Sequence, residues 1–229
     1  MKTMTPLSRR GVRVAFLTAF LLLPLAAYRF GGWAVVTVDD LPDYVPAGQP
    51  ITLGFTVRQH GVTLLSDLKP TVEARGAGAD VTASGKPGST AGHYTATITF
   101  PKAGAWNVVI NSGFGSSRAK LLPLEAVDPR GTPPAAIAER ERGRRLFVAK
   151  GCVTCHVHDE VSRDVNFSVG PDLTGRRWPA VYLAKFLADP SIAQLPPGTS
   201  NRMPNLGLAP REITALVTFV NTDRQVSKR

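Results

Sequence analysis

The sequence contains only two cysteines in 229 residues, and both lie within one five-residue stretch. This scarcity excludes a disulfide-rich scaffold and any metal site built from three or four thiolates. Aromatic residues are also few, at 7%, and two of the three methionines lie within the first four residues. The chain is still able to bury a core, because 43% of its residues are hydrophobic.

Acidic side chains are fewer than basic ones, 17 against 27, which gives a net charge of +10. No segment combines clustered lysines and arginines with aromatic residues on a recognisable nucleic-acid-binding module, so nucleic acid is not an expected partner. Much of the basic excess lies in residues 135–229. A basic surface there predicts docking of an acidic protein partner.

Long hydrophobic runs are absent except for Val14–Ala27, which directly follows the basic residues that end at Arg13. Its 14 residues match a secretory signal and fall short of the roughly 20 that a membrane span needs. Residues 1–27 are therefore predicted to be a signal peptide. A membrane anchor stays open, because apolar residues resume at Phe30–Val38. We expect an exported protein, either periplasmic or anchored to the outer face of the cytoplasmic membrane.

Residues 33–126 consist of short β-branched runs separated by turns rich in proline and glycine. The predicted strands are Ala34–Val38, Ile51–Val57, Thr71–Ala74, Val81–Ser84, Tyr94–Phe100, Trp106–Asn111 and Ala119–Leu124. About seven such strands predict an all-β sandwich of immunoglobulin type. With its Gly92-His93-Tyr94 strand start and its Pro101-x-x-Gly104-x-Trp106 corner, this segment resembles the YtkA-like family of small exported β-sandwich domains. That resemblance implies little about chemistry.

Residues 127–134 contain two consecutive prolines and are predicted to be an extended, semi-rigid linker. The following domain, residues 135–229, is predicted to be all-α. Its expected helices are Ala135–Ala149, Val181–Leu187 and Glu212–Val220. The last of these has an apolar face.

The two cysteines belong to Cys152-Val153-Thr154-Cys155-His156, the C-x-x-C-H signature of covalent haem attachment. Thiols three positions apart lie one helical turn from each other and can form thioethers to the two haem vinyl groups. His156 then faces the iron as an axial ligand. A dithiol oxidoreductase is an alternative, but its motif belongs near a βαβ pattern. A zinc site is another, but it needs two further ligands.

Met203 is the one methionine outside the predicted signal. It lies 47 residues after His156 and is followed by Pro204, on a predicted loop. A lone methionine can simply fill a gap in a core. Because histidine and methionine are a standard pair of haem ligands, we expect Met203 to be the sixth ligand.

Further motifs in residues 135–229 resemble class I monohaem c-type cytochromes. The motif residues are Gly143 and Phe147, Leu216 and Phe219, Gly170-Pro171-x-Leu173-x-Gly175, and Tyr182-x-x-x-Phe186-Leu187-x-Asp189-Pro190. The resemblance implies the cytochrome c fold, one covalent haem c, and a first helix that packs across the last. It also implies that the Pro171 carbonyl accepts the Nδ1–H of His156.

Several other side chains are weaker candidates for positions at or near the haem. Arg202 is a possible contact to a haem propionate, as are Arg176, Arg177 and Trp178, although each arginine could equally be solvated. We expect His158 to be a surface residue and Lys150 to lie near the exposed haem edge.

His60 and His93 would suit a copper site if the strands brought them together.

These residues predict an electron carrier, not an enzyme. A dry pocket and a methionine ligand raise the reduction potential, which suits delivery to a terminal oxidase or another high-potential reductase. Haem attachment of this type takes place outside the cytoplasm, so the chain is expected to cross the membrane unfolded.

Two alternatives stay open. One is a haem subunit with a labile sixth ligand that binds a gas or performs catalysis. The other is a metal-handling or assembly protein that uses the β-sandwich.

Overall fold

Two β-sheets face each other across an apolar core in residues 34–127, and three α-helices follow between residues 139 and 221. These elements belong to a computed structural model, which describes residues 32–161, 169–194 and 203–222. The prediction of a β-sandwich followed by a helical region is confirmed.

The described residues of the sandwich form eleven strands. In chain order they are β1 (Ala34–Val38), β2 (Val45–Pro46), β3 (Pro50–Gln59), β4 (Thr63–Leu64), β5 (Thr71–Gly76), β6 (Ala79–Ser84), β7 (Lys86–Pro87), β8 (His93–Thr99), β9 (Gly104–Asn111), β10 (Arg118–Lys120) and β11 (Leu124–Val127). One sheet has the order β1-β3-β8-β7, with β4 also paired to β3; the other has the order β2-β11-β9-β5-β6, with β10 also paired to β9. All pairings are antiparallel except that of β2 with β11.

Alternating side chains build the core between the sheets. In β8, Tyr94, Ala96 and Ile98 are buried, whereas the intervening threonines point outwards. Trp106 is fully buried and meets Phe100 edge-on, with ring centroids 5.5 Å apart. This period of two is the pattern that predicts a half-buried strand.

One predicted strand was wrong in its extent. Ala119–Leu124 is not continuous, because β10 ends at Lys120 and β11 begins at Leu124. Pro123 lies between them, and proline cannot donate a hydrogen bond to a strand ladder. The strands β2, β4 and β7 were not predicted, since two residues are too few to produce an alternating pattern.

The helical region contains α1 (Glu139–Ala149), α2 (Ala180–Ala188) and α3 (Pro210–Asn221), with short 3₁₀ turns at Cys152–Thr154 and Pro190–Ile192. The predicted start of the first helix at Ala135 was too early. Ala138 has an extended backbone at the N-cap, and Glu139 and Glu141 follow in the first turn. Acidic side chains there interact favourably with the helix dipole.

Helix α1 packs directly across α3, as expected. Gly143 permits the close approach, because a Cβ atom at this position would overlap the backbone of Ala215. Leu146, Phe147 and Phe219 are buried in the cluster that forms around this crossing.

Strand β1 is buried on both faces. Val36 and Val38 point into the sandwich core, whereas Val35 lies against Gly151 in the segment that follows α1. Residues 128–136 are exposed throughout. The sandwich and the helical region therefore share a packed boundary beside β1 although an exposed linker connects them.

The predicted signal peptide or anchor, residues 1–27, lies outside the described residues. Among the residues that are described, no helix is long and apolar enough to cross a membrane.

Candidate functional site

The histidine turn, defined here as residues 151–156, begins directly after the C-cap of α1. Gly151 has φ = 79°, a left-handed conformation that suits glycine and ends the helix. The Cys152 carbonyl then accepts hydrogen bonds from the backbone N–H groups of Cys155 at 3.1 Å and His156 at 2.8 Å. The turn thus holds both cysteines and the histidine in one compact loop.

A second segment orients the His156 ring. The Nδ1 atom of His156 lies 2.9 Å from the Pro171 carbonyl oxygen. A carbonyl only accepts hydrogen bonds, so Nδ1 carries the hydrogen and Nε2 keeps its lone pair. Gly170 leaves room for the ring, because a Cβ atom there would overlap it. Desolvation lowers the pKa of His156, which favours the neutral imidazole that binds metals.

Cys152 and Cys155 are both free thiols and are partly exposed. Desolvation and the neighbouring Cys155 raise the pKa of Cys152 to about 12, and desolvation also raises the pKa of Cys155. Reactive dithiols have lowered pKa values. The environment of this pair therefore does not favour the dithiol oxidoreductase alternative.

The methionine segment, defined here as residues 203–209, leads into α3. Met203 is partly buried and packs in the same apolar cluster as Cys152. The other partly buried members of that cluster are Leu41, Val153, Val161, Leu173, Trp178, Phe186, Leu208, Ile213 and Val217. The structure thus brings the predicted sixth ligand and one of the cysteines to a common apolar cluster.

These residues fit a haem group. Two free thiols, an imidazole with an available Nε2 and a thioether are the donors that c-type haem uses. Cys152 and Met203 pack with other partly buried apolar side chains, the kind of lining that a large flat apolar ring needs. Arg202, a predicted propionate contact, lies outside the described residues.

The other predicted propionate contacts differ in exposure. Arg176 and Arg177 are exposed, whereas Trp178 is partly buried. The Asn221 side chain fixes the Trp178 backbone by accepting from its N–H at 3.0 Å and donating to its carbonyl at 2.9 Å. Sequence reasoning missed Asn221, since a single polar residue at the end of a helix carries no distinctive signal.

The prediction that His158 is a surface residue was wrong. Its exposed fraction is 3%, and its ring stacks on Phe219 with centroids 4.4 Å apart. Phe147 meets it edge-on from α1. His158 is therefore a packing residue of the α1–α3 crossing.

The prediction that Lys150 lies near an exposed edge was also wrong. Lys150 has an exposed fraction of 3%, and its Nζ atom lies 2.8 Å from a carboxylate oxygen of Glu212. Sequence reasoning missed Glu212. Its available signal was its position in the first turn of α3, just after Pro210.

The two histidines of the sandwich have separate neighbours. His93 Nε2 lies 2.6 Å from a carboxylate oxygen of Asp39, and the His60 ring packs beside Trp33. Within the described part of the chain, the one cluster of three potential metal-binding side chains is His158, Asp159 and Glu160. Neither His60 nor His93 nor either cysteine belongs to it.

Comparison with known proteins leaves the family open. No protein-family model matches the sequence, and no curated protein matches it. The chain is similar to the solved solution structure of the PKD domain from the human VPS10 domain-containing receptor SorCS2, at 16% identity over 43% of this chain and 76% of that one, with a TM-score of 0.25. Because so low a TM-score carries no structural argument, the sandwich is defined by its sheet topology. The cytochrome and YtkA-like assignments stay predictions.

Proposed function

We propose that this protein is an exported monohaem cytochrome c that carries single electrons between redox partners. The observation that carries the proposal is the geometry of His156. The Pro171 carbonyl oxygen lies 2.9 Å from Nδ1 and accepts its hydrogen. Gly170 leaves space for the ring. A metal-binding histidine characteristically donates its second ring N–H to such an acceptor, which orients the ring and strengthens the ligand.

The chain's own residues have defined roles in this proposal. Cys152 and Cys155 would each add S–H across one haem vinyl group, forming a carbon–sulfur bond and passing the hydrogen to the other vinyl carbon. His156 would bind the iron through Nε2, and Met203 would bind it through sulfur. When bound, haem supplies an iron that gains or loses one electron without other bonding changes.

The surroundings suit electron transfer better than substrate chemistry. With His156 and Met203 both bound to it, the iron would have no open position for a substrate. A haem packed against the apolar side chains around Cys152 and Met203 would complete this partly exposed cluster, and an apolar site with a methionine ligand would favour ferrous iron. A terminal oxidase or another high-potential reductase is therefore the proposed class of acceptor.

Exposed basic side chains lie near the proposed site in sequence. Arg176 and Arg177 follow the Pro171 loop and are exposed, as is Lys185 on α2. Such charges increase the rate at which an acidic partner docks, without requiring tight binding. We propose a weak, salt-sensitive encounter with an acidic redox protein outside the cytoplasm.

Absorption spectra of the matured protein, with and without CO, test this function. The expected result is a six-coordinate low-spin haem with the weak near-red sulfur–iron band and no response of the ferrous form to CO. Met203→Ala should abolish that band and permit CO binding. A high-spin spectrum or ready CO binding by the wild type would favour gas binding or catalysis instead.

A further inference from the structure

Lys150 and Glu212 form a buried ion pair at the boundary between the sandwich and the helical region. Their side chains are 3% and 8% exposed, and Nζ lies 2.8 Å from Oε1. Burying two charges costs several kcal/mol unless additional hydrogen bonds satisfy both groups. The other hydrogen-bond partners of Lys150 and Glu212 therefore determine which segments the pair connects.

Each member of the pair bonds a different segment. The Lys150 ammonium donates to the Asp39 carbonyl of the sandwich at 2.6 Å. The second carboxylate oxygen of Glu212 accepts from the Ala209 N–H at 3.0 Å. Lys150 immediately precedes the histidine turn, and Ala209 ends the methionine segment. One ion pair thus joins the sandwich, the histidine turn and the methionine segment.

Direct packing supports the same connection. On the side of the histidine turn, Val35 of β1 contacts Gly151 so closely that a Cβ atom at Gly151 would overlap it. On the side of the methionine segment, a Cβ atom at Gly61 would lie 3.7 Å from Pro204, which directly follows Met203. The sandwich therefore packs closely against the histidine turn and lies near Pro204 of the methionine segment.

We propose that Lys150 and Glu212 are positioning residues. Through them, the rigid sandwich holds the methionine segment so that Met203 stays within bonding distance of the haem iron. This inference rests on the proposed function. The pair neither donates nor accepts an electron. It acts by keeping the ends of two ligand-bearing segments at a constant separation.

The test compares this buried pair with an exposed pair that also involves α3 and the sandwich. Lys150→Met/Glu212→Met removes both charges together, so neither is left buried without its partner. Arg211→Met/Asp40→Asn is the matched control, because this pair also joins α3 to the sandwich, at 3.2 Å, but its side chains are 77% and 76% exposed. The readouts are CO binding by the ferrous protein, the near-red sulfur–iron band and the reduction potential.

In its ferrous form the buried-pair variant is expected to bind CO, which the wild type does not, and to lose most of the near-red band. Its ferric-to-ferrous equilibrium should shift about tenfold towards ferric iron, which equals about 59 mV for one electron. The control variant should match the wild type in all three readouts. A buried-pair variant with wild-type ligation would overturn the inference.

Glu212→Gln decides the question if the double variant does not mature. A glutamine oxygen can still accept from the Ala209 N–H, but the amide cannot neutralise Lys150. We expect CO binding between that of the wild type and that of Met203→Ala, and wild-type behaviour would count against the inference. The two proposals fail separately, because a wild type without His/Met-ligated haem contradicts the proposed function itself, whatever the variants do.

Discussion

The sandwich and the helical region differ in how completely they exclude water from their apolar side chains. In the described residues, the sandwich cluster has 20 buried hydrophobic members, one of which is Ala149 of α1, and 10 partly buried ones, whereas the helical cluster has 8 buried and 11 partly buried. The sandwich therefore closes its own core. The partly buried majority in the helices includes Cys152 and Met203, the pattern expected where a non-peptide group completes a small core.

The largest effect is expected from Cys152→Ser/Cys155→Ser. Without covalent attachment, α1 and α3 should lose most of their stability, about 5 kcal/mol or more, while the sandwich strands keep theirs. Hydrogen exchange followed by mass spectrometry resolves the two regions. Equal protection of the helices in variant and wild type would contradict the idea that haem completes this core.

Trp106→Ala tests the opposite region. The side chain is fully buried in the sandwich, so its removal should lower the free energy of unfolding by about 3–5 kcal/mol. Val62→Ala, at a site with 67% exposure, should change it by less than about 0.5 kcal/mol. Urea unfolding measures both, and a loss below 1 kcal/mol for Trp106→Ala would mean that the sandwich core tolerates a cavity there.

Gly143→Ala separates α1 from α3 without touching any proposed haem ligand. Because a Cβ atom would overlap the Ala215 backbone, we expect a loss of about 1–3 kcal/mol, seen as a lower melting temperature of the helical signal. The control is Gly131→Ala in the exposed linker. Equal stability of both variants would show that the helices can move apart freely.

The smallest effect is expected at the exposed Arg211–Asp40 pair. Such pairs contribute about 0–1 kcal/mol, less at high salt. A double-mutant cycle measured by urea unfolding at two salt concentrations should give a coupling in that range. A larger, salt-independent coupling would mean that the surface pair, and not only the buried one, fastens the sandwich to α3.

The sequence predicted those elements whose pattern lies within a few neighbouring residues. The alternation around Ala96 and Ile98 identified β8, and the spacing of Cys152, Cys155 and His156 identified the candidate ligand turn. Residues that depend on distant partners escaped prediction. Lysine is usually found at the surface, and only the fold brings Lys150 into contact with Glu212.

His158 escaped prediction for a related reason. Histidine is often partly exposed in proteins, which favoured a surface site, but the α1–α3 crossing places the His158 ring against Phe219. Two-residue strands such as β4 were missed because backbone pairing, not side-chain periodicity, defines them.

Peptide mapping of the matured protein tests directly whether haem is covalently attached to Cys152 and Cys155. Trypsin cleaves after Lys150 and Arg163, so one fragment of the denatured chain, residues 151–163, contains both cysteines. We expect the mass of this fragment to be increased by one haem, which acidic organic solvent does not extract, and neither cysteine to react with an alkylating reagent. Two alkylatable thiols, or a disulfide between Cys152 and Cys155, would contradict it.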